Sequence, residues 1–390
     1  MGRVFGPFYL IMKNEKLLLL IIPFVLSVSS CTNSSKSEET KNYLPGDDLT
    51  LTSIEMCDHY GECTLIQFGT YDLVIDSGAE ADAPHINEVL TTKITDKTID
   101  MLIVTHPHGD HIGGILNGAL SNLTISTIVD YGYIYDTNGD DEIENSYYVS
   151  TYVNWRNSLV KAGTTYYSIL EALKDIPTVT ISKEDDCYLK WLKNDNYVAK
   201  DQVFPNSKVA TDNPNTTSVS CYVQYKHWNI VLCGDVESMY AEASIVKNHS
   251  KLFTGSKDRV MLKATHHGSS SSMGSSFLDW AHPDLMYVSA AMVDVVCIPN
   301  EVTLGSGKEH QSHPDKTTLK RMTNRTDNIY WNGINGDLII TIDGVNDANV
   351  MGLGRNKNYY KVDGTPASID DEKNVKMVDS AFYKYYTNKK

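Results

Sequence analysis

A chain of 390 residues, 41% of them hydrophobic and 21% charged, carries enough apolar side chains to close a sizeable core, as one large domain or two ordinary ones. It is not a disordered chain. Its 49 acidic residues outnumber its 34 Lys and Arg for a formal charge of -15, which excludes a protein that grips nucleic acid through a basic surface, since polyanion affinity comes mostly from Lys and Arg neutralising phosphates.

In chain order, the N-terminus reads first as an address. Lys13 and Lys16 precede the apolar run Leu17 to Val28, and Ser29 and Ser30 lead into Cys31, the order of charged region, apolar region and cleavage site in an export signal. Met12, directly before Lys13, is a second candidate start beside Met1. Val28-Ser29-Ser30-Cys31 resembles the lipobox of bacterial lipoproteins. That resemblance implies a signal peptide over residues 1–30, lipidation of Cys31, and an exported protein anchored by lipid at the outer face of the cytoplasmic membrane or in the cell envelope. The apolar run is too short for a spanning helix, which takes about 20 residues. Residues 31–48 are polar and aperiodic, suiting a flexible tether. The folded domain is expected over 49–346, with 347–390 a C-terminal extension without an assigned role. Among the cysteines beyond Cys31, Cys57 and Cys63 are the closest pair, but spacing selects no disulfide pattern; Cys221 and Cys233 read as buried thiols.

Cys63 to Gly78 reads as two short strands around a Gly69 turn, Asp100 to Thr105 as a strand buried on both faces, and residues 124–130 as another. SVSCYVQY, NIVLCGD, RVMLKATHHG and DLMYVS repeat the pattern of an apolar run ending at a polar loop. Helical patterns lie around Ala83 to Thr91, Trp155 to Leu173 and Met239 to Val246. Strands alternating with helices predict an α/β layered domain. The stretch 131–200 is longer and richer in Tyr and Asn than a minimal connection, and 293–311 reads as an insertion before His313. Asp136 to Tyr147 begins like a calcium loop. Asp141 stands where Gly is required and Tyr147 where a bidentate Glu belongs, so it reads as a solvated acidic turn.

The chemistry concentrates in Leu102 to Gly114, LIVTHPHGDHIGG, where His106, His108, Asp110 and His111 follow the apolar strand. A loop leaving a rigid strand is a good mount for reactive groups. His106 and His108, two apart, can share one cation, and Asp110 and His111 can serve a second; imidazole with carboxylate suits zinc and its neighbours. Gly109 permits a tight turn, and Gly113-Gly114 let the next segment pack close.

This loop resembles the signature of the metallo-β-lactamase-fold hydrolases, and the likeness runs from about Leu51 to Ile342. It implies an α/β (α+β layered) fold, a four-layer αββα sandwich with two central mixed sheets and a dinuclear metal site at one edge. On that resemblance Asp76 of VIDSG supports the metal loop, and Asp235 of LCGDVE bridges both ions. His106 and His108 hold one ion, while Asp110, His111 and His266 of THHGS hold the other. The motifs NTTS from Asn215, KATHHGSSSS from Lys263 and SHPDKTTLKRM from Ser312 resemble the metallo-β-lactamase-like domain of ComEC competence proteins. Asn215 stands where most lactamases and thiol hydrolases of the superfamily place a His. That departure argues against a β-lactamase or glyoxalase-type enzyme and leaves one ion with fewer nitrogens, so manganese stands beside zinc as the expected metal.

The resemblance therefore implies two divalent ions, which in such sites sit about 3.5–4 Å apart, hold a hydroxide and clamp an anionic ester. Asp110, His267 and His313 are the expected catalytic groups, the two histidines touching a phosphate or protonating a leaving group. Asp76, Asn215, Ser218, Lys263 and Ser269 are expected behind the ligands or against the substrate. Gly268 to Ser272 reads as a phosphate-facing loop, with a plain flexible loop as the alternative. The expected activity is that of a phosphodiesterase or nuclease outside the cytoplasmic membrane. The alternatives are a carboxylic-ester, lactone or lactam hydrolase and a catalytically silent binding lipoprotein. The acidic balance disfavours long duplex DNA and any stable nucleic-acid complex, and favours a smaller phosphodiester. His59, His85, His227, His249, His282 and His310 show no partner pattern and read as ordinary histidines.

Overall fold

Side chains of a strand point alternately to opposite faces, so a strand apolar on both faces must be covered on both. The computed structural model describes residues 48–56, 60–136, 149–205, 212–291, 313–354, 359–360, 366–367 and 372–388, all within one compact unit, Lys41–Lys390. The signal peptide, Cys31, the tether up to its last residue, Cys57, most of the calcium-loop-like turn and the 293–311 insertion lie outside the described residues. The strands in chain order are β1 (Leu49–Ser53), β2 (Thr64–Phe68), β3 (Tyr71–Ile75), β4 (Thr98–Val104), β5 (Thr124–Asp130), β6 (Ile134–Tyr135), β7 (Thr165–Ser168), β8 (Thr178–Ser182) and β9 (Cys187–Trp191). They continue with β10 (Val203–Phe204), β11 (Cys221–Tyr225), β12 (Trp228–Leu232), β13 (Arg259–Lys263), β14 (Leu285–Val288), β15 (Ile329–Trp331), β16 (Leu338–Ile342) and β17 (Asn349–Gly352). The helices used below are α1 (Ala83–Lys93), α2 (Gly109–Ile112), α3 (Val149–Ala162), α4 (Ile169–Asp175), α5 (Ala243–Asn248), α6 (Ser275–Ala281) and α7 (Lys316–Thr323).

Two large sheets result, one of eight strands ordered β17-β16-β1-β2-β3-β4-β5-β7 and one of seven ordered β15-β14-β13-β12-β11-β9-β8. Both are mixed: β3, β4, β5 and β7 run parallel in the first, and β12 to β15 in the second. Leu73, Ile75, Met101 and Ile103 of the first sheet pack face to face with Val223, Ile230, Met261 and Leu285 of the second. The opposite face of the first sheet, with Val74, Leu102 and Val104, is covered by Ile86 and Leu90 of α1 and Tyr152 of α3. On the second sheet, Val231, Leu262 and Met286 lie under Ile245 of α5, Phe277 of α6 and Leu319 of α7. The order of layers is therefore α, β, β, α, the expected αββα sandwich.

The helical pattern expected over 155–173 is interrupted. The chain leaves α3 at Ala162, passes Gly163 at φ 118°, and forms β7 before α4. A Gly in that region of φ and the β-favouring run Thr164 to Tyr167 outweigh the apolar spacing. Ser168 then restarts a helix through a capping box with Glu171. The long stretch 131–200 supplies β7, β8 and β9, the outer strands of both sheets, and so belongs to the sandwich. Residues beyond 346 are also built in: β17 extends the first sheet, and Met377 and Tyr386 join the core under the second. Cys63, Cys187, Cys221 and Cys233 are buried free thiols. Among the described residues no helix is long and apolar enough to cross a membrane.

Candidate metal centre

In parallel sheets the loops that leave the C-terminal ends of the strands gather at one edge, where ligands bind. Here β3 delivers Asp76, β4 delivers Thr105 to His111, β12 delivers Asp235, and β13 delivers His266 and His267. Close backbone approach locks these loops together. The Ser77 amide donates to the His111 carbonyl at 2.7 Å, and a Cβ on Gly114 would lie 1.9 Å from the Ser77 carbonyl oxygen. Gly234, at φ 53°, lets the Asp235 loop lie against Thr105, where a Cβ would meet the Thr105 Cβ at 2.9 Å.

Four side chains then converge. His111 Nε2, His267 Nε2 and Asp235 Oδ2 are mutually 3.2 Å apart, and Asp110 Oδ2 lies 3.4 Å from His267 Nε2 and 3.8 Å from His111 Nε2. A tetrahedral ion with bonds of about 2.0–2.1 Å sets its ligands about 3.3–3.4 Å apart, so the spacing fits a metal cage. Proton positions point the same way. His111 Nδ1 meets the Asp76 carboxylate at 2.6 Å, and His267 Nδ1 donates to the Ser289 carbonyl at 2.8 Å. Each Nδ1 therefore carries the proton of the neutral ring and each Nε2 a lone pair, so two acceptors and two carboxylate oxygens face one another. Such a set demands positive charge at its centre. Accordingly, although burial opposes it, the carboxylates of Asp235, Asp76 and Asp110 push His111 well above the ordinary imidazole range; a divalent cation would supply the same charge.

His106 and His108 form a second nitrogen pair, Nε2 to Nδ1 3.0 Å, and His106 Nε2 lies 3.9 Å from Asp235 Oδ2. Burial, then the charge of neighbouring imidazoles, lowers His106 well below its usual pKa, keeping it in the neutral form a metal requires. The structure reverses the expectation for the THHGS pair. His267, expected at the substrate, is buried inside the four-residue cage, with both ring nitrogens engaged. His266, expected in that cage, faces away from it and reaches only 4.0 Å from Asp235 Oδ2. The cause is the backbone: His266 and His267 both adopt left-handed conformations, at φ 47° and 50°, which turn successive side chains in directions that an ordinary strand exit would not. Left-handed backbone costs non-glycine residues about 1–2 kcal/mol each, and such strain collects at functional sites.

The remaining expected residues sort by reach. Asp76 accepts the Thr105 amide at 2.8 Å and its hydroxyl at 2.7 Å besides holding His111, so it fixes the loop from behind. Asp76→Ala is expected to weaken metal affinity about 10–100-fold, as loss of a ligand-orienting carboxylate does, measured by competition with a chromophoric chelator. Ser218 Oγ accepts the Asp235 amide at 3.2 Å. Lys263 is wholly buried, its Nζ 2.6 Å from Glu62 Oε2 and 3.8 Å from Asp235 Oδ1, and cannot touch substrate. Asn215 Nδ2 lies 3.2 Å from His266 Nε2. The His313 ring packs tilted 4.6 Å from Tyr60 and 4.9 Å from His266, between centroids, and burial with the charges of His266 and His267 lowers its pKa to about 4. Ser269 Oγ meets Ser271 Oγ at 3.2 Å, and Ser271 Oγ in turn lies 3.4 Å from His266 Nδ1. The serine loop is pinned: Arg321 of α7 donates to the carbonyls of Ser270, Ser272 and Met273.

Comparison with known proteins adds a partial match. Residues 58–121 match the family model described as the metallo-beta-lactamase superfamily. No curated protein matches the chain. Among solved structures, the metallo-beta-lactamase fold protein YhfI from Bacillus subtilis aligns at 14% identity and TM-score 0.37, covering 73% of this chain and 96% of that one. Human tRNase Z, short form, aligns at 12% identity and TM-score 0.34, covering 62% and 92%. CmlA, a diiron beta-hydroxylase from Streptomyces venezuelae, aligns at 12% and 0.39, covering 80% and 55%.

The matched segment, residues 58–121, holds Asp76 and the whole His106 to His111 loop, but several supporting residues were not singled out in the sequence. Glu62, within the segment, pairs with Lys263; Glu237 faces His266 Nδ1 at 3.5 Å; Tyr60 packs on His313. Nothing periodic marks them, since a lone Glu or Tyr in a loop has no local signature. Glu242 is a fourth. Buried at the start of α5, it accepts Thr265 Oγ1 at 2.7 Å and the amides of Met273 and Gly274 at 2.7 and 2.8 Å, clamping the loop that carries His266 and His267. Burial raises its pKa from 4.5 to about 7 against those hydrogen bonds. Because the folded value is raised, its contribution to stability is complete below pH 4.5 and is lost as pH rises through about 7. The loss amounts to about 3 kcal/mol. The stability advantage of the native protein over Glu242→Gln, from urea unfolding, should fall by that amount between about pH 4 and about pH 8; a flat difference would refute it.

Proposed function

We propose that this chain is a metal-dependent hydrolase of phosphodiesters, acting on a small anionic ester from a lipid anchor outside the cytoplasmic membrane. The observation that carries the reading is the cage in which two imidazole acceptors and the oxygens of Asp110 and Asp235 face one centre. Asp110, His111, His267 and Asp235 would hold one divalent ion, and His106 and His108, with Asp235 shared, a second. Zinc suits the imidazole-rich cage, with manganese the alternative for a position poorer in nitrogen. A bound ion would lower the pKa of a water and polarise a phosphoryl or acyl oxygen.

The chain's own residues do the rest. Asp76 and the Ser289 carbonyl fix which nitrogen of His111 and His267 points inward. Lys263 stays charged behind Asp235: burial would lower its pKa, but the carboxylates of Glu62 and Asp235 raise it. The rings of Tyr60 and His266 pack tilted against His313, and a substrate bound beside the cage would meet them. An overall charge of -15 fits a small substrate better than a long polyanion. The lipid anchor rests on Lys13, Lys16, the apolar run and Cys31, and the ComEC-like branch on the motifs around Asn215, Lys263 and His313.

The test is hydrolysis of bis-p-nitrophenyl phosphate by purified protein stripped with chelator and reloaded with zinc or manganese, beside Asp110→Ala. Metal-dependent turnover that the variant loses supports the reading. Folded, metal-loaded protein with no turnover would overturn it in favour of a carbon-ester, lactone or lactam substrate or a binding role.

A further inference from the structure

Residues 372–388 lie beyond the span that resembles the hydrolase family, yet they are tied firmly to the sandwich. Asn335, fully buried, places its side-chain Nδ2 3.0, 3.1 and 2.9 Å from the carbonyl oxygens of Glu372, Lys373 and Val375. Asn374 Oδ1 accepts the Gly352 amide of β17 at 3.0 Å. Met377 is fully buried. The helix Ala381–Asn388 then starts from a fixed point: Glu372 Oε1 accepts the Ala381 amide at 2.6 Å, and Ser380 Oγ accepts the Tyr383 amide at 3.1 Å, as a helix cap does.

One side chain of that helix is connected to the candidate site. Tyr386, 3% exposed, belongs to the apolar cluster of the second sheet with Leu319 and Met322 of α7. A Phe would fill the same space without burying a hydroxyl, which is costly unless hydrogen-bonded. Here the hydroxyl donates to the Pro314 carbonyl at 3.2 Å, and the Lys316 ammonium lies 5.0 Å from the ring centre. Pro314 is also locked to the loop that carries His266 and His267. A Cβ on Gly268, at φ 80°, would meet the Pro314 Cβ at 2.7 Å, and the Asp315 amide donates to the Gly268 carbonyl at 2.8 Å. Directly before Pro314 stands His313, its ring centroid 6.4 Å from that of the cage residue His267. The pyrrolidine ring leaves Pro314 no freedom at φ, so a displacement of its carbonyl is passed on to His313.

From these contacts we propose that Tyr386 is a positioning residue for the reaction: through the Pro314 carbonyl it sets where the His313 imidazole stands beside the cage. The segment 372–388 is then a brace behind the site, with Tyr386 as its point of contact. The inference rests on the reading that the chain hydrolyses phosphodiesters with His313 meeting the substrate. Small misplacements of such groups are costly, about a hundredfold in rate for about 1 Å.

The experiment compares bis-p-nitrophenyl phosphate hydrolysis by the metal-loaded full chain, Tyr386→Phe, His313→Ala and the double variant. Tyr386→Phe keeps the ring, so the apolar packing stays filled, and circular dichroism and metal content should match native protein. Its kcat/KM should fall about tenfold, yet the same substitution should change the rate less than about twofold once His313 is Ala. A merely structural role would lower the rate equally in both backgrounds. A second readout needs no turnover: the histidine Cε1–Hε1 signals of the metal-free protein. The His313 signal, assigned by its loss in His313→Ala, should move in Tyr386→Phe, because ring currents from Tyr60, 4.6 Å away, change steeply with position, while the His227 signal stays in place. Equal losses in the two backgrounds, or an unmoved His313 signal, would overturn the inference and leave the hydrolase reading intact. No turnover in native protein would overturn that reading, and the His313 signal would still decide whether Tyr386 sets the ring.

Discussion

Asp235→Ala is expected to lower kcat/KM for bis-p-nitrophenyl phosphate at least about a thousandfold at saturating metal. Four imidazoles address one oxygen of this carboxylate, two at 3.2 Å and two at 3.9 and 4.0 Å. Its removal leaves the facing lone pairs of His111 and His267 with Asp110 alone and withdraws negative charge from the proposed metal centre. Metal ions supply several kcal/mol of transition-state stabilisation, and each 1.36 kcal/mol is a factor of ten. Asp235 is also held well below the usual carboxylate range, burial being outweighed by His111 and His267, so the lost group is a full negative charge. A variant that keeps activity within tenfold of native would show that the reaction does not pass through this carboxylate.

Lys263→Met is the second large effect, and it concerns stability. Lys263 and Glu62 are completely buried and 2.6 Å apart. Removing one partner of a buried pair leaves the other charge unpaired, at a cost of about 3–5 kcal/mol, whereas replacing both by apolar groups is often neutral or stabilising. Urea unfolding should therefore show a loss of that size for Lys263→Met, with most of it recovered in Lys263→Met/Glu62→Met. Equal losses in the single and double variants would mean that Asp235, 3.8 Å from the ammonium, and not Glu62, is what Lys263 stabilises. Because Lys263 Nζ also donates to the Gly234 carbonyl at 3.2 Å, the single variant should in addition loosen the loop that presents Asp235.

The strands were legible because each is short, apolar and closed by a polar loop: β5 occupies the span read for it, residues 124–130, and Gly69 makes the turn between β2 and β3. The loop from His106 to His111 was legible because ligand-type residues crowd into so few positions. The exchange of His266 and His267 was not, since two adjacent histidines have the same composition whichever faces inward, and left-handed backbone leaves no periodic trace. The Glu62–Lys263 pair joins the loop before β2 to the end of β13, far apart in the chain, and no local pattern reports such a contact. The helix expected over 155–173 failed for a simpler reason. Its apolar spacing was real, but Gly163 ended α3 and the Thr- and Tyr-rich run after it found an edge of the first sheet to pair with.

The placement of β1 carries a consequence for how the molecule is made. It pairs with β2 on one side and with β16 on the other, so the first strand of the sandwich waits for nearly the last. A nascent chain emerging from a ribosome or a translocation pore exposes one unsatisfied edge of β1, and the inner apolar face beside it, until residues 338–342 arrive. Such long-range pairing folds slowly and leaves sticky intermediates. Completion of the first sheet is therefore a late event, and yield should depend more on holding chaperones and low temperature during expression than on any stability of the finished sandwich.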